Sequence, residues 1–250
     1  MAFDVDGTLI SYQNETHIPP ETIETVEKLK EKGHLGALAT ARSFLTAKPV
    51  MNRLGIHNAV LHNGAQIIFN DESIYENKIE EKLSRQICNI LFQTSLCVFA
   101  FDGENVYVHN ASDESKRYII KETGKYDVIK QLCDNTKSLF SISLYGELNQ
   151  ISGFLNSIES IDFKKDQYEI SAKNSSKSDG VKRLAKKMNI AEKDVIAVGD
   201  GINDIDMIRM AGTGIAVGNA CPELKAAADL VTDAIDSGGI RNVFRQLNLI

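Results

Sequence analysis

The 250-residue sequence contains no apolar run long enough to span a bilayer, which argues against a transmembrane helix. It also lacks an apolar stretch near its amino terminus. Asp4 and Asp6 stand where a secretory signal would need one, so the chain is expected to be cytoplasmic. The four cysteines, Cys88, Cys97, Cys133 and Cys221, show no CxxC spacing, which points away from a zinc site or a disulfide framework and toward reduced thiols. In that setting the N-x-S/T triplets at Asn14, Asn110 and Asn174 are chance matches. An excess of basic charge is missing as well. With 34 acidic residues against 28 basic ones the formal net charge is -6, which argues against a nucleic-acid partner. A small phosphorylated metabolite is compatible with that balance, because one lysine and one metal ion can make a local positive site inside an acidic protein. There is no GxxxxGK[S/T] segment, so a P-loop is not supported. Gly212 to Gly218 has GxGxxxG spacing and runs into a predicted strand, whereas a dinucleotide fingerprint follows one.

What is present is an alternation of short apolar runs with amphipathic segments in the first third, the pattern of βαβ units building a parallel sheet. Pro19 and Pro20 introduce a helix with Ile23, Val26 and Leu29 on one face, and Gly33 ends it. Strands are expected over Leu35 to Ala39 and Ala59 to Leu61, with a helix from about Ser43 between them that must carry Pro49 in its first turn or kink there. The same alternation returns late, with a helix over Asp179 to Met188, a buried strand over Val195 to Val198, a helix after Asn203, a strand at Ile215 to Val217 and a helix from Pro222. The middle differs. Ile79, Leu83, Ile87, Ile90 and Leu91 form a helical stripe, and Val98 to Phe101, Asp102-Gly103 and Val106 to Val108 form a hairpin. Further strands are expected at Phe140 to Tyr145 and Tyr168 to Ser171, separated by a helix around Gln150 to Ile158. The fold class is therefore α/β, with a doubly wound parallel-sheet (Rossmann-like) core at 1–77 and 173–250 and an inserted α+β cap domain at 78–172.

Two acidic clusters follow predicted strands. Asp4 and Asp6, in Phe3-Asp4-Val5-Asp6-Gly7-Thr8, lie at the carboxyl end of a very short strand, where open α/β sheets bind ligands. Gly199-Asp200-Gly201-Ile202-Asn203-Asp204 lies at the end of another. Two such clusters can share one hard cation such as Mg²⁺, leaving a carboxylate free to attack phosphorus. An Asx-turn with solvated acids at the first cluster, and a turn with a helix cap at Asn203 in the second, are the structural alternatives. Thr40 could donate its hydroxyl to a phosphate, with Arg42 as a second anion contact, or it could simply cap a helix. Lys177, after the polar stretch Lys173-Asn174-Ser175-Ser176, could neutralise a phosphate or a carboxylate, or could be solvated like most lysines. His62 is read as structural. Phe99, Phe101, Tyr107 and Tyr145 are read as packing residues.

Together these segments resemble the haloacid dehalogenase superfamily of phosphatases, in particular its Cof-type branch with a class II (C2B-like) cap. The DxDGT segment is similar to the family's first motif, Thr40 to its second, Lys177 to its third and Gly199 to Asp204 to its fourth. The resemblance spans nearly the whole chain. It implies a magnesium-dependent phosphatase acting on small phosphomonoesters, sugar phosphates or phosphorylated cofactors, through an aspartyl-phosphate. Asp4 would be the nucleophile and Asp6 the acid and base. Asp4, Asp200 and the main-chain carbonyl of Asp6 would hold Mg²⁺, with Asp204 orienting that shell. Thr40, Lys177 and Asn203 would bind the phosphoryl group, and Asn63-Gly64-Ala65 would stand at the mouth of the site. The cap is expected to close over it and select the leaving group. A phosphomutase and a non-catalytic phospho-aspartate switch are the alternatives. Two departures stand out: only three residues precede Asp4, so the first strand is expected to be short, and Ala41 replaces the glycine common after the threonine.

Overall fold

The computed structural model describes residues 1–11, 17–132, 137–147, 149–159, 161–164 and 169–250. Cys133, the Asn14 triplet and Tyr168 lie outside the described residues. The chain divides into two compact units: Met1–Ala41, Val50–Ile74 and Ser176–Ile250 form the first, Arg42–Pro49 and Tyr75–Ser175 the second.

The first unit is built on strands β1 (Ala2–Phe3), β2 (Ala37–Ala39), β3 (Ala59–Leu61), β4 (Gln66–Phe69), β5 (Glu72–Glu76, its last two residues counted in the second unit), β12 (Ile196–Gly199), β13 (Thr213–Ala216) and β14 (Leu230–Val231). Their order is β14-β13-β12-β1-β2-β3-β4-β5. The strands from β14 to β3 are parallel, and β4 joins antiparallel to β3. Every residue of β1, β2 and β3 is buried, as expected where a parallel sheet is covered on both faces. The covering helices can be assigned from register. Phe3 pairs with Leu38 on one face and meets Phe244 of α9 (Gly239–Gln246) edge to face. Val60 pairs with Ala39 on the other face and lies under Gly180 of α6 (Lys177–Lys187), where an added Cβ would come within 2.3 Å of it. Helix α1 (Pro20–Glu31) has the proline-led start read from the sequence and is followed by Gly33 at φ +86. The late helices are α7 (Ile205–Met210) and α8 (Pro222–Ala227).

The second unit carries a six-stranded sheet, β10-β11-β9-β6-β7-β8, made of β6 (Cys97–Phe101), β7 (Val106–His109), β8 (Ile129–Gln131), β9 (Ser141–Tyr145), β10 (Ile161–Lys164) and β11 (Glu169–Ala172). Only β7 and β8 pair in parallel. Helices α3 (Glu81–Phe92) and α5 (Asn149–Asn156) supply Ile87, Leu91, Ile151 and Leu155 to one core, against Val98, Ile142, Leu144 and Ile170. On the opposite face Phe99, Val106 and Val108 pack with Ile119 of α4 (Asp113–Thr123) and with Leu45. Phe99, Phe101 and Tyr145 share that face, while Tyr107 lies on the other and its hydroxyl donates to Asp102 at 2.8 Å.

Several expectations are corrected. Leu35 is half exposed, and β2 starts two residues later, at Ala37. Of the two placements expected for Pro49, the first turn is excluded: it is the sixth residue of α2 (Phe44–Leu54), and the division between units falls immediately after it. The second unit starts at Tyr75 and also takes in Arg42–Pro49. Near the expected boundaries, the Asn77 side chain donates to the Lys173 carbonyl at 2.9 Å and to Ser175 at 3.1 Å, which ties the two connecting segments together. Among the described residues no helix is long and apolar enough to cross a membrane. Cys88, Cys97 and Cys221 are thiols.

Candidate active site

The chain leaves β1 toward β2 and β3 on one side and comes back at β12 on the other, so strand order reverses at β1. In open α/β sheets that reversal opens a crevice at the carboxyl ends of the strands. Asp4 follows β1, Asp200 follows β12, Thr40 follows β2 and His62-Asn63-Gly64 follow β3, so four neighbouring strand ends supply the residues that the sequence pointed to. Backbone bonds hold these ends. The Asp4 N–H donates to Val198 O, the Thr40 N–H to Val60 O and the Asn63 N–H to Thr40 O, all at 2.9–3.0 Å.

Lys177 enters from the start of α6. A cation in the first turn of a helix is opposed by the helix dipole, so it needs compensation from elsewhere. Here two carboxylates supply it: Nζ lies 2.6 Å from Asp4 Oδ1 and 2.7 Å from Asp204 Oδ1, all within the interior. The helix start itself is fixed by Ser176, whose hydroxyl accepts the Asp179 N–H at 3.1 Å. Gly64 seats that start. With φ +104 it has the conformation glycine allows, and a Cβ there would fall 2.1 Å from the Ser176 carbonyl oxygen. The Asn-Gly segment after β3 therefore lets the residue before Lys177 approach closely.

Asp204 does more than the second-rank role foreseen for it. Its Oδ1 takes Lys177, and its Oδ2 accepts the N–H groups of Asp200 and Gly201, both at 3.0 Å. Gly199 makes this possible, since a Cβ would lie 2.6 Å from the Asp204 carboxyl carbon. Asp200 in turn accepts the Thr8 hydroxyl at 2.8 Å. Asn203 is not a helix cap through its side chain, which instead donates to Asn63 Oδ1 at 3.1 Å.

Oxygens of Asp4, Asp200 and Asp204 all lie within 4.8 Å of one another, and all three residues are buried. Three carboxylates offer the hard oxygen donors that suit a divalent cation, so the cluster fits such an ion. The Asp6 side chain is outside this set; the residue is half-buried and its backbone bridges to Ile10. Electrostatics reflect two acids, Asp4 and Asp204, sharing one ammonium with a third, Asp200, nearby. Burial first, and then Asp204, push the Asp4 carboxyl well above its ordinary range, against the pull of Lys177. For Lys177 burial acts to lower the value, but Asp204 and Asp4 outweigh it and keep the ammonium charged.

Arg42 is the predicted residue whose observed partner was not foreseen. Its Nη1 pairs with Glu122 Oε2 at 2.5 Å inside the second unit. Sequence reasoning also passed over Thr8 as an individual residue, although it belongs to the DxDGT segment. Asn219, which donates to the Gly7 carbonyl at 2.7 Å and accepts the Ile235 N–H at 3.1 Å, carried no signal because its partners are more than ten residues away.

Comparison with known proteins gives a consistent result. Residues 1–244 match the family described as haloacid dehalogenase-like hydrolase. YkrA of Bacillus subtilis is 29% identical, with 99% of this chain and 97% of that protein aligned. Phosphatase YwpJ of the same organism is 25% identical over 99% of each chain. Among solved structures, a protein of Geobacillus kaustophilus superposes with a TM-score of 0.85 at 28% identity, covering 100% of this chain and 98% of that one. The subclass IIB sugar phosphatase BT4131 gives 0.84 at 25% identity with the same coverage.

Proposed function

The chain belongs to the haloacid dehalogenase-like hydrolases and is a phosphatase, and we propose that it hydrolyses small phosphomonoesters, sugar phosphates or phosphorylated cofactors, through an aspartyl-phosphate on Asp4 with Mg²⁺ as its ion. One observation carries this reading: Lys177 is buried between Asp4 and Asp204, with Asp200 beside them. Acids that only turned the chain would have no use for a buried lysine.

In the proposed reaction a carboxylate oxygen of Asp4 forms a bond to phosphorus while the bond from phosphorus to the ester oxygen breaks. Asp6 gives its proton to the departing oxygen. Water then attacks the acyl phosphate, passing a proton back to Asp6, and phosphate leaves with Asp4 restored. Asp4 must be ionised to begin, yet burial and its acidic neighbours favour its neutral form. Lys177 counters them through its 2.6 Å contact. Asp4, Asp200 and the carbonyl of Asp6 would hold Mg²⁺, which supplies the remaining positive charge against the transferring phosphoryl oxygens. Thr8 holds Asp200 and Asp204 holds Lys177, so both ligand and ammonium are oriented before substrate arrives. Thr40, Asn63, Gly64 and Asn203 are proposed to contact the phosphoryl group, the two asparagines being held together by their mutual bond. A polyol leaving group is favoured because a sugar phosphatase is among the similar structures.

The test is phosphate release from a panel of phosphorylated metabolites, with and without Mg²⁺, in wild type and Asp4→Asn. Mg²⁺-dependent release that disappears in the variant is expected. Absence of turnover with every phosphoester, or isomerised sugar phosphate in place of free phosphate, defeats the proposal.

A further inference from the structure

The turn that carries Asp6 is held from a distant part of the sequence. Within residues 5–10 the Val5 carbonyl accepts the N–H groups of Leu9 and Ile10 at 2.8 and 2.9 Å, and the Gly7 N–H donates to the Ile10 carbonyl at 2.8 Å. The Gly7 carbonyl is bonded outside the turn. Gly7 is buried, at φ +83, so its carbonyl needs a partner, and Asn219 Nδ2 donates to it at 2.7 Å. One orientation of the Asn219 amide suits both its neighbours: Oδ1 accepts the Ile235 N–H at 3.1 Å, which leaves Nδ2 for Gly7.

The backbone around Asn219 is pinned on both sides. Val217 donates its N–H to the Gly199 carbonyl at 3.1 Å, and Cys221 donates its own to the Asp200 carbonyl at 3.0 Å. The Gly218 carbonyl accepts Lys225 Nζ at 2.6 Å. The segment after β13 therefore crosses the end of β12 and reaches the turn beyond β1, two strands away, with Cys221 on the main chain of Asp200 and Asn219 on that of Gly7. A loop that only had to close could stop at β12. Asp4 and Thr8, which flank Asp6 and Gly7, have holds of their own: the Asp4 N–H bonds Val198 and its carboxylate Lys177, and the Thr8 hydroxyl bonds Asp200. What the crossing segment adds is control of the Gly7 carbonyl, one residue past Asp6.

We propose that Asn219 is a positioning residue for proton transfer: by holding the Gly7 carbonyl it sets the turn from which the Asp6 carboxyl reaches the departing ester oxygen. This rests on the phosphatase mechanism proposed above. Asn219 itself touches no reacting atom, and it is exposed, so its replacement disturbs no buried packing. With the bond gone, Asp6 keeps its carboxyl group and loses its fixed aim, and a misplacement on the order of 1 Å can cost about a hundredfold in rate.

The experiment compares kcat/KM for an alkyl phosphate, whose alkoxide must be protonated as it leaves, with that for 4-nitrophenyl phosphate, whose phenolate departs without a proton. This constant covers the steps up to departure of the leaving group and omits hydrolysis of the aspartyl-phosphate. At saturating Mg²⁺, Asp6→Asn sets the scale, with the alkyl value falling about a hundredfold and the aryl value far less. Asn219→Asp keeps an acceptor for Ile235 and removes the donor to Gly7. It is expected to lower the alkyl value about tenfold and the aryl value by less than about twofold, and to melt near the wild-type temperature. Equal change on the two substrates, or none, overturns the proposal, because a purely structural residue alters the amount of folded enzyme and not its preference between leaving groups. Should Asn219→Asp fail to fold, Asn219→Ala is read by the same ratio. Absence of turnover in wild type, or equal loss on the two substrates in Asp6→Asn, defeats the mechanism and the proposal with it. A shifted ratio in Asp6→Asn beside an unshifted one in the Asn219 variant defeats the proposal alone.

Discussion

Asp4 and Asp102 make a matched pair across the two units. Each directly follows a strand, β1 or β6, and each is 6% exposed, yet their carboxyl groups shift in opposite directions. Burial raises both. At Asp102, under a surface hairpin turn, it is outweighed by donors: the N–H groups of Asn105 and Glu104 at 2.7 and 2.8 Å, the Tyr107 hydroxyl at 2.8 Å and the Asn105 amide at 3.2 Å. Asp4 instead shares one ammonium with Asp204 in the presence of Asp200. The partners of Asp102 lie within five residues of it. Lys177 is 173 residues from Asp4. Asp102 completes a turn; Asp4 belongs to a buried cluster whose parts come from distant points of the chain.

The largest expected contrast is in rate. Asp4→Asn should lower phosphate release by at least about a thousandfold, as loss of a nucleophile does, while Asp102→Asn should leave it unaltered. A comparable loss in both would mean that the hairpin acid takes part in the chemistry. Next comes stability without metal. Lys177→Met strands buried carboxylates and should cost about 3–5 kcal/mol in denaturant unfolding, whereas Asp102→Asn should cost about 1–2 kcal/mol. Added Mg²⁺ should recover part of the first loss and none of the second. Gly199→Ala, which drives a methyl group into the Asp204 carboxylate, should cost about 1–3 kcal/mol and weaken Mg²⁺ binding measured by calorimetry.

The smallest effect is the sharpest in sign. Asp4 binds its proton more tightly folded than unfolded, so its contribution to stability is present below the unfolded value near 3.8 and is lost as pH rises through the raised folded value. Asp102 does the reverse: its contribution is present above 3.8 and is lost as pH falls through the lowered folded value. Melting temperatures across pH, in metal-free protein, should therefore show Asp4→Asn flattening the decline toward neutral pH and Asp102→Asn flattening the decline into acid. If both variants flatten the same limb, the two acids are not opposites.

Much of the site was legible because the chemistry demands particular residues at strand ends, and strand ends can be read from apolar runs that stop at Asp, Thr or Gly. Asp4, Thr40, Asp200 and Asp204 stood out on that ground, whereas Lys177 follows a polar linker and its role was implied only by the family resemblance. The pairing of Arg42 with Glu122 did not, since nothing local links residues 80 apart. In the fold, the parallel strands were readable as short buried runs. The pair β4 and β5 was not, because Glu72 to Glu76 is mostly exposed and shows no alternation, although Asn70 and Asp71, at φ 51 and 66, form the left-handed turn that joins them. Helix α9 falls outside the sequence expectation even though Ile240, Val243 and Phe244 are buried at helical spacing. The two backbone partners of Asp204 were not legible, because they appear only when the Gly199 turn is folded.

Helix α2 contributes Phe44–Pro49 to one unit and Val50–Leu54 to the other. For protein engineering this means that the inserted region is not a cassette bounded by two cuts. A chimera that exchanges only Tyr75–Ser175 brings in a foreign sheet and helix but keeps the native Arg42 and Leu45, which then face a stranger in place of Glu122 and the Phe99 cluster. Successful grafts should carry Arg42–Pro49 along with the larger insert, with one junction inside a continuous helix beside a proline.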